Sequence, residues 1–145
     1  MEPSSSTWRQ IVDSALDTAI ISTDADGRVL TWSRGATHML GWTEDEMRGQ
    51  DLSRLFTEED RAAGRLLTEV QDALSPRGRG GGDEGWRLRR DGSRFWAVGE
   101  LAPIRDEAGR HIGFVKILRD RTSQRRAEQA IEEERRVLSV MNRAA

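Results

Sequence analysis

Few residues of this 145-residue chain are of a type that could catalyse a reaction or bind a metal. There is no cysteine, and the two histidines, His38 and His111, stand far apart. Without cysteine there are no disulfides, thiolate nucleophiles or thiolate metal sites. Neither histidine belongs to a hydrolase or metalloprotease motif, and the carboxylates fall in predicted caps, turns and one terminal helix. These residue types indicate a binding or signalling module that is not an enzyme.

One glycine-rich run could be mistaken for a phosphate-binding loop. Residues 77–82 read Arg-Gly-Arg-Gly-Gly-Gly, but no Gly-Lys-Ser/Thr ending follows and no strand precedes them. We therefore predict that Pro76 to Gly85 is a flexible connector without regular structure.

The charge balance indicates neither a nucleic-acid partner nor a membrane surface. The net charge is −2, and all the basic side chains except Lys116 are arginines interspersed with carboxylates. Residues 1–7 do not resemble a signal peptide, and no apolar run approaches the roughly 20 residues that span a bilayer. We expect a soluble cytoplasmic protein.

The elements that position these side chains begin with a helix. Apolar residues recur at helical spacing on one face, at Trp8, Ile11, Val12, Ala15 and Leu16. Two strands follow, Ala19 to Thr23 and Arg28 to Trp32, joined through an Asp-Gly turn.

Short helices are predicted next. One runs from Ser33 to Leu40 with Gly41 as its stop, and a second opens at the capping box of Thr43 and Glu46. A longer helix opens at Thr57, with a predicted apolar stripe of Ala63, Leu66, Leu67, Val70 and Leu74.

Three strands are expected after the connector: Gly85 to Arg90, Arg94 to Ile104 and Ile112 to Asp120. The middle strand is apolar or small on both faces from Phe95 to Leu101 except at Glu100, so both faces of the sheet should be covered. Trp42 and Trp96 are predicted to seal the core.

The last segment has the composition of one uninterrupted helix, because Thr122 to Ala145 contains neither glycine nor proline. Alternating spacings of four and three predict a weak two-stranded coiled-coil seam. The seam consists of Ala127, Ile131, Glu134, Leu138, Met141 and Ala145. A solvated single helix remains the alternative.

Several stretches in this order resemble the PAS family. They are Asp24 to Ala36, Leu40-Gly41-Trp42, Glu46 to Gln50, Arg89 to Trp96, Asp106 to Gly109, Gly113 to Val115 and the closing Asp120-Arg121-Thr122. The resemblance covers about Leu16 to Thr122. It implies an α+β PAS fold: a five-stranded antiparallel sheet in the order 2-1-5-4-3 with short helices on one face. The implied division is a cap helix at 1–16, a PAS domain at 17–121 and a signalling helix at 122–145.

The resemblance also allows cofactors to be weighed. Leu52 stands at the position of the reactive cysteine of flavin photosensors of the LOV type, and Leu118 at about the position of their flavin-sensing glutamine, so cysteine-adduct FMN is not expected. Haem is not expected either. In haem sensors of this fold a histidine of the long helix binds the iron, and the matching region here, Arg61 to Arg65, contains no histidine. Non-covalent FAD, another small molecule or no ligand remain open. Of these, a domain without a cofactor is the favoured expectation. The implied pocket candidates are Leu52, Leu55, Phe56, Leu67, Val98 and Leu118.

The function implied is a sensory module that passes a signal through its last helix. Asp120 and Thr122 would form the joint between strand and helix. A parallel homodimer is expected through Trp8, Ile11, Val12, Leu16, Ile131 and Leu138, together with the outer sheet face. The output domain would lie in the same polypeptide, resembling a bacterial sensor histidine kinase. A ligand-free dimerisation spacer is the alternative.

Overall fold

The computed structural model describes residues 5–75 and 81–144. Five antiparallel strands form one sheet in the order β2-β1-β5-β4-β3, which confirms the predicted order. The strands are β1 Thr18–Asp24, β2 Val29–Trp32, β3 Gly81–Leu88, β4 Arg94–Arg105 and β5 His111–Asp120. The last two strands of the chain therefore lie in the middle of the sheet.

Helices cover one face of this sheet, which we call the inner face. They are α2 Arg34–Leu40, α3 Glu44–Met47, a 3₁₀ turn Leu52–Leu55, α4 Glu58–Ala62 and α5 Arg65–Leu74. Two further helices stand at the ends of the domain, α1 Ser5–Ser14 and α6 Thr122–Ala144. Because α1 packs against α2, it borders the outer face only near β1 and β2.

Local signals explain why the first elements begin and end where they do. Gly27 has a φ of 82° in the β1–β2 turn, and Asp24 accepts hydrogen bonds from the amides of Asp26 and Arg28. The Ser33 side chain caps α2, and Gly41 ends it with a φ of 85°. The predicted hairpin and helix are thereby confirmed.

The capping box that was predicted before α3 is also present. Thr43 accepts a hydrogen bond from the Glu46 amide, and the Glu46 carboxylate accepts one from the Thr43 amide.

The long helix predicted after Thr57 is in fact two helices. Gly64 adopts a φ of 70°, a left-handed conformation that no helix interior tolerates, so the chain turns there between α4 and α5. The break changes which side chains face the sheet. Glu69 and Ala73 are buried, whereas the predicted apolar stripe is wrong at three exposed positions, Ala63, Leu67 and Leu74.

The predicted connector is also shorter than expected. Residues 81–85 belong to β3 and pair with β4, from Gly81 opposite Leu101 onward. Glycines do not forbid a strand when the neighbouring strand supplies the hydrogen bonds. Residues 76–80 of the predicted connector lie outside the described residues, as do the first four residues of the predicted cap segment and Ala145 of the predicted seam.

The core lies between the inner face and the helices, and it contains one of the tryptophans. Trp32 is 1% exposed, and its Nε1–H donates a 2.8 Å hydrogen bond to the carbonyl oxygen of Trp42. Trp42 packs against the core as predicted. Trp96 does not: it is half-buried on the outer face, where its ring meets Trp86 edge-on at 5.2 Å. Strand alternation explains this correction, because its neighbours Phe95 and Ala97 face inward.

Candidate functional site

A small cavity lies between α5 and the inner face of the sheet. Its volume is about 80 Å³. Its apolar wall is made by Leu52, Leu66, Val70, Leu101 and Phe114, and the exposed residues Ala25, Asp26 and Asp51 border it on the solvent side. Because sites for drug-sized ligands usually measure roughly 300–1,000 Å³, this cavity suits a molecule of a few atoms and is far too small for a flavin.

The structure places one of the six predicted pocket residues at this cavity. Leu52 lines it. Leu55, Phe56 and Leu118 are each no more than 2% exposed and belong to the packed interior. They fill the space between helices and sheet instead of bounding an opening.

Leu67 and Val98 are removed from the candidate pocket. Leu67 is 62% exposed because the break at Gly64 turns Glu69 and Ala73 toward the sheet. Val98 is 38% exposed on the outer face, since alternate residues of β4 point to opposite faces.

A charged pair, Lys116 of β5 and Glu69 of α5, is buried in the interior. Lys116 donates a hydrogen bond from Nζ to Oε1 of Glu69, and each side chain is 2% exposed. A buried ion pair costs desolvation that its mutual attraction only partly offsets, so it is weak evidence for stability alone. The pair does tie the longest inner-face helix to the strand that leads into α6.

A second buried cation lies on the same side of the sheet. The Arg87 side chain is 1% exposed, and its Nη1 donates a 3.0 Å hydrogen bond to the Trp86 carbonyl and lies 3.5 Å from Oδ2 of Asp60. Its guanidinium carbon lies 4.1 Å from the centre of the Phe56 ring, and Lys116 Nζ lies 5.8 Å from the same centre. Phe56, predicted as an apolar pocket wall, is therefore a platform for two cations.

These charged residues were missed in the sequence, although two signals pointed to them. Lys116 lies two residues from each of the buried residues Phe114 and Leu118. Strand periodicity therefore places all three side chains on the same face of the sheet. Glu69 lies three residues after Leu66 and four before Ala73, on one helical face. Neither signal predicts that Glu69 and Lys116, which are 47 positions apart, bind to each other.

The joint between β5 and α6 is tightly hydrogen-bonded. Oδ1 of Asp120 accepts bonds from the Thr122 amide at 2.9 Å and from the Thr122 hydroxyl at 2.5 Å. The other carboxylate oxygen accepts a bond from Arg89, which the sequence analysis did not single out. Thr122 Oγ1 also accepts a 2.9 Å bond from the amide of Trp96, so the threonine connects the start of the helix to β4.

The side chains predicted to form a dimer are largely exposed. Trp8, Ile11 and Leu16 are 50–55% exposed, and Val12 is half-buried. On α6, Ile131 and Leu138 are 50% and 52% exposed. The α1 helix is held to the domain by Arg9, which donates to Glu44, and by Asp13, which accepts a 2.9 Å bond from the Arg34 amide.

The histidines remain outside the interior site. His38 is exposed, and the His111 ring meets Phe114 edge-on with ring centres 4.5 Å apart. Within residues 5–75 and 81–144, no three His, Asp or Glu side chains form a group suited to a metal ion. In the same ranges no helix has the length and apolar character needed to cross a bilayer.

Comparisons with known proteins agree with this architecture. A family model described as PAS fold matches residues 6–121. Two-component system protein A of Emericella nidulans is 41% identical over 122 residues, which is 84% of this chain. The chain spans only 17% of the length of that relative.

Among solved structures, a PAS domain from Colwellia psychrerythraea superimposes with a TM-score of 0.73 at 25% identity, covering 81% of this chain and 97% of that one. A sensory box histidine kinase/response regulator from Burkholderia thailandensis gives a TM-score of 0.67 at 20% identity, covering 90% and 96% of the two chains. At that identity the second similarity concerns the fold alone.

Proposed function

Because this chain belongs to the PAS fold family, we propose that it is the sensory module of a cytoplasmic two-component signalling protein and relays its signal through α6. The output would be a domain of the same polypeptide, such as a bacterial-type histidine kinase. The module itself would bind and transmit without catalysing a reaction.

One observation carries this proposal: a single strand contributes both to the interior and to the exit joint. Lys116 and Leu118 of β5 are buried against the helices, and Asp120 ends the same strand two residues later. A strand in a sheet moves as a unit because its ladder of hydrogen bonds resists local distortion. A change around Lys116 would therefore reach Thr122 and the start of α6.

The proposed relay works in a homodimer. Exposed apolar side chains on α1 and along α6, together with the half-buried outer sheet face, support this part of the proposal. A switch needs a free-energy difference between two arrangements of the paired α6 helices, typically about 1–3 kcal/mol.

The size of the cavity favours a second candidate, a ligand-free dimerisation and transmission module. A volume of about 80 Å³ beside Leu52 and Val70 leaves no room for FAD unless α5 moves away from the sheet. A flavin-dependent light or redox sensor is therefore supported less than either a few-atom ligand or no ligand. The absence of cysteine excludes adduct photochemistry.

The experiment that separates these candidates is an absorption spectrum of freshly purified protein, followed by mass spectrometry of any released small molecule. A small colourless compound in stoichiometric amount would support a ligand sensor. A flat visible spectrum with nothing released would support the transmission module. A flavin or Soret band would overturn this ranking, and a monomer by light scattering at high concentration would overturn the proposed dimer.

A further inference from the structure

Only the first turn of the exit helix is in close contact with the domain. In α6, Thr122 and Arg125 are half-buried, and every residue from Arg126 to Arg143 is exposed. Within one subunit, the direction of this 23-residue helix therefore depends on contacts within its first turn.

In β4, Trp96 hydrogen-bonds at the start of this turn. Its amide donates to Thr122 Oγ1 at 2.9 Å, and its carbonyl accepts from the Arg121 amide at 2.7 Å. The regular pairing of β4 with β5 ends where Ala97, the residue next to Trp96, lies opposite Asp120. Trp96 thus extends the sheet into the joint.

The side chain of Trp96 makes a third contact. The guanidinium carbon of Arg125 lies 3.6 Å from the centre of the Trp96 ring, and Trp86 supports that ring edge-on at an interplanar angle of 80°. Nε of Arg125 is buried and has no hydrogen-bond partner among the described residues. The interaction observed for this guanidinium is therefore its contact with the face of the Trp96 ring.

We propose that Trp96 and Arg125 are positioning residues that fix the direction of α6, and that release of their contact lets the helix swing about the Asp120–Thr122 joint. The joint alone is one point of attachment, and a rod attached at one point can pivot. The contact at Arg125 supplies the second point, about 4.5 Å farther along the helix at 1.5 Å per residue. This inference rests on the proposed relay through α6.

A small movement at this contact produces a larger movement at the far end of α6. From Thr122 the helix extends for roughly 33 Å to its described end, about seven times the distance between the two points of attachment. A shift of about 1 Å at Arg125 therefore becomes a displacement of about 7 Å at the end of α6. A contact with a ring face suits such a device, because a guanidinium can leave it without stranding a hydrogen-bond partner.

The test uses the absence of cysteine in the chain. Spin labels are attached at Glu107→Cys, in the exposed β4–β5 turn, and at Ser139→Cys, on the exposed part of α6. Distances between them are measured by double electron–electron resonance, with labelled subunits diluted in unlabelled protein so that pairs within one subunit dominate. The otherwise unchanged protein should give one narrow distance distribution.

Arg125→Ala and Trp96→Leu should each broaden this distribution at least twofold, and the double variant should broaden it no further than either single one. Arg126→Ala is the matched control, because it removes an exposed arginine at the next position, and it should leave the distribution narrow. Arg125→Lys, which keeps the charge but not the flat guanidinium, should give an intermediate width. Thermal unfolding verifies that each variant is folded.

An unchanged width in Arg125→Ala would overturn the inference, and so would equal broadening in Arg126→Ala. If Trp96→Leu does not fold, the arginine series decides alone. The result is independent of whether the domain binds a ligand or drives a kinase, because the distance is measured on the resting protein. Failure of the proposed function is therefore distinguishable from failure of this inference.

Discussion

The guanidinium of Arg89 joins three parts of the fold by bonding to Asp120. Its Nη2 donates a 2.6 Å hydrogen bond to Oδ2 of Asp120, and its Nε donates a 3.1 Å bond to the carbonyl oxygen of Met39. The same guanidinium lies 4.6 Å from the centre of the Phe95 ring. The end of α2, the β3–β4 hairpin and the exit joint are thus held through one side chain.

We predict that Asp120→Ala destabilises the domain by about 2–4 kcal/mol, because it removes one charge-assisted bond and leaves the Thr122 amide unsatisfied. Urea unfolding followed by circular dichroism measures the change. Asp120→Asn, which keeps an acceptor for Thr122 but loses the charge facing Arg89, should cost less. A loss below about 0.5 kcal/mol in Asp120→Ala would contradict a structural role for this joint.

Breaking the buried ion pair should cost more than removing it entirely. Lys116→Met removes the cation that donates to the buried Glu69 carboxylate, and we expect a loss of about 3–5 kcal/mol. The double variant Lys116→Met/Glu69→Leu should recover most of that loss, since neither charge of the pair is then present in the interior. Equal stability of the single and double variants in denaturant titrations would argue against coupling between α5 and β5.

Two strand glycines offer a matched test of packing. A Cβ at Gly99 of β4 would lie 2.0 Å from the carbonyl oxygen of Ile117, whereas a Cβ at Gly82 of β3 would meet nothing within 4 Å. We predict that Gly99→Ala costs at least about 2 kcal/mol, because the neighbouring backbone must move. Gly82→Ala should be neutral or slightly stabilising. Similar melting temperatures for the two variants would count against the observed β4–β5 register.

The docking of α1 should weaken at acid pH. Burial raises the pKa of Glu44, but hydrogen bonds and charge attraction from Arg9 and Arg48 outweigh it and hold that pKa below 4.5. A depressed carboxyl pKa means that the stabilisation is present above about pH 4.5 and is lost as the pH falls through the lower folded value. Because Arg9 is largely exposed, its ion pair with Glu44 stabilises the docking of α1 by at most about 1 kcal/mol.

Amide chemical shifts of α1, recorded from pH 7 down to pH 3, measure this change. The unaltered protein should show a transition below pH 4.5 in residues 8–14, and Glu44→Gln should show altered shifts already at pH 7 with no such transition. An identical acid transition in Glu44→Gln would contradict the assignment of this effect to Glu44.

The sequence by itself determined the order and type of most elements. Ser33 and Gly41 delimit α2, and Gly27 makes the first hairpin turn. Each of these outcomes depends on backbone conformations and hydrogen bonds within a few residues, so a local pattern is sufficient to predict it. The strand order was available only through the resemblance to the PAS family.

Only the tertiary structure decided what the interior and the joint contain. Glu69 faces inward because a left-handed turn at Gly64 changes the phase of α5, and its partner Lys116 is 47 residues away. Trp96 lies outside the core and meets Arg125, a contact between a strand and a helix that no local pattern encodes. Such pairs depend on how separate elements pack against one another, which is a property of the whole fold and not of any short stretch of chain.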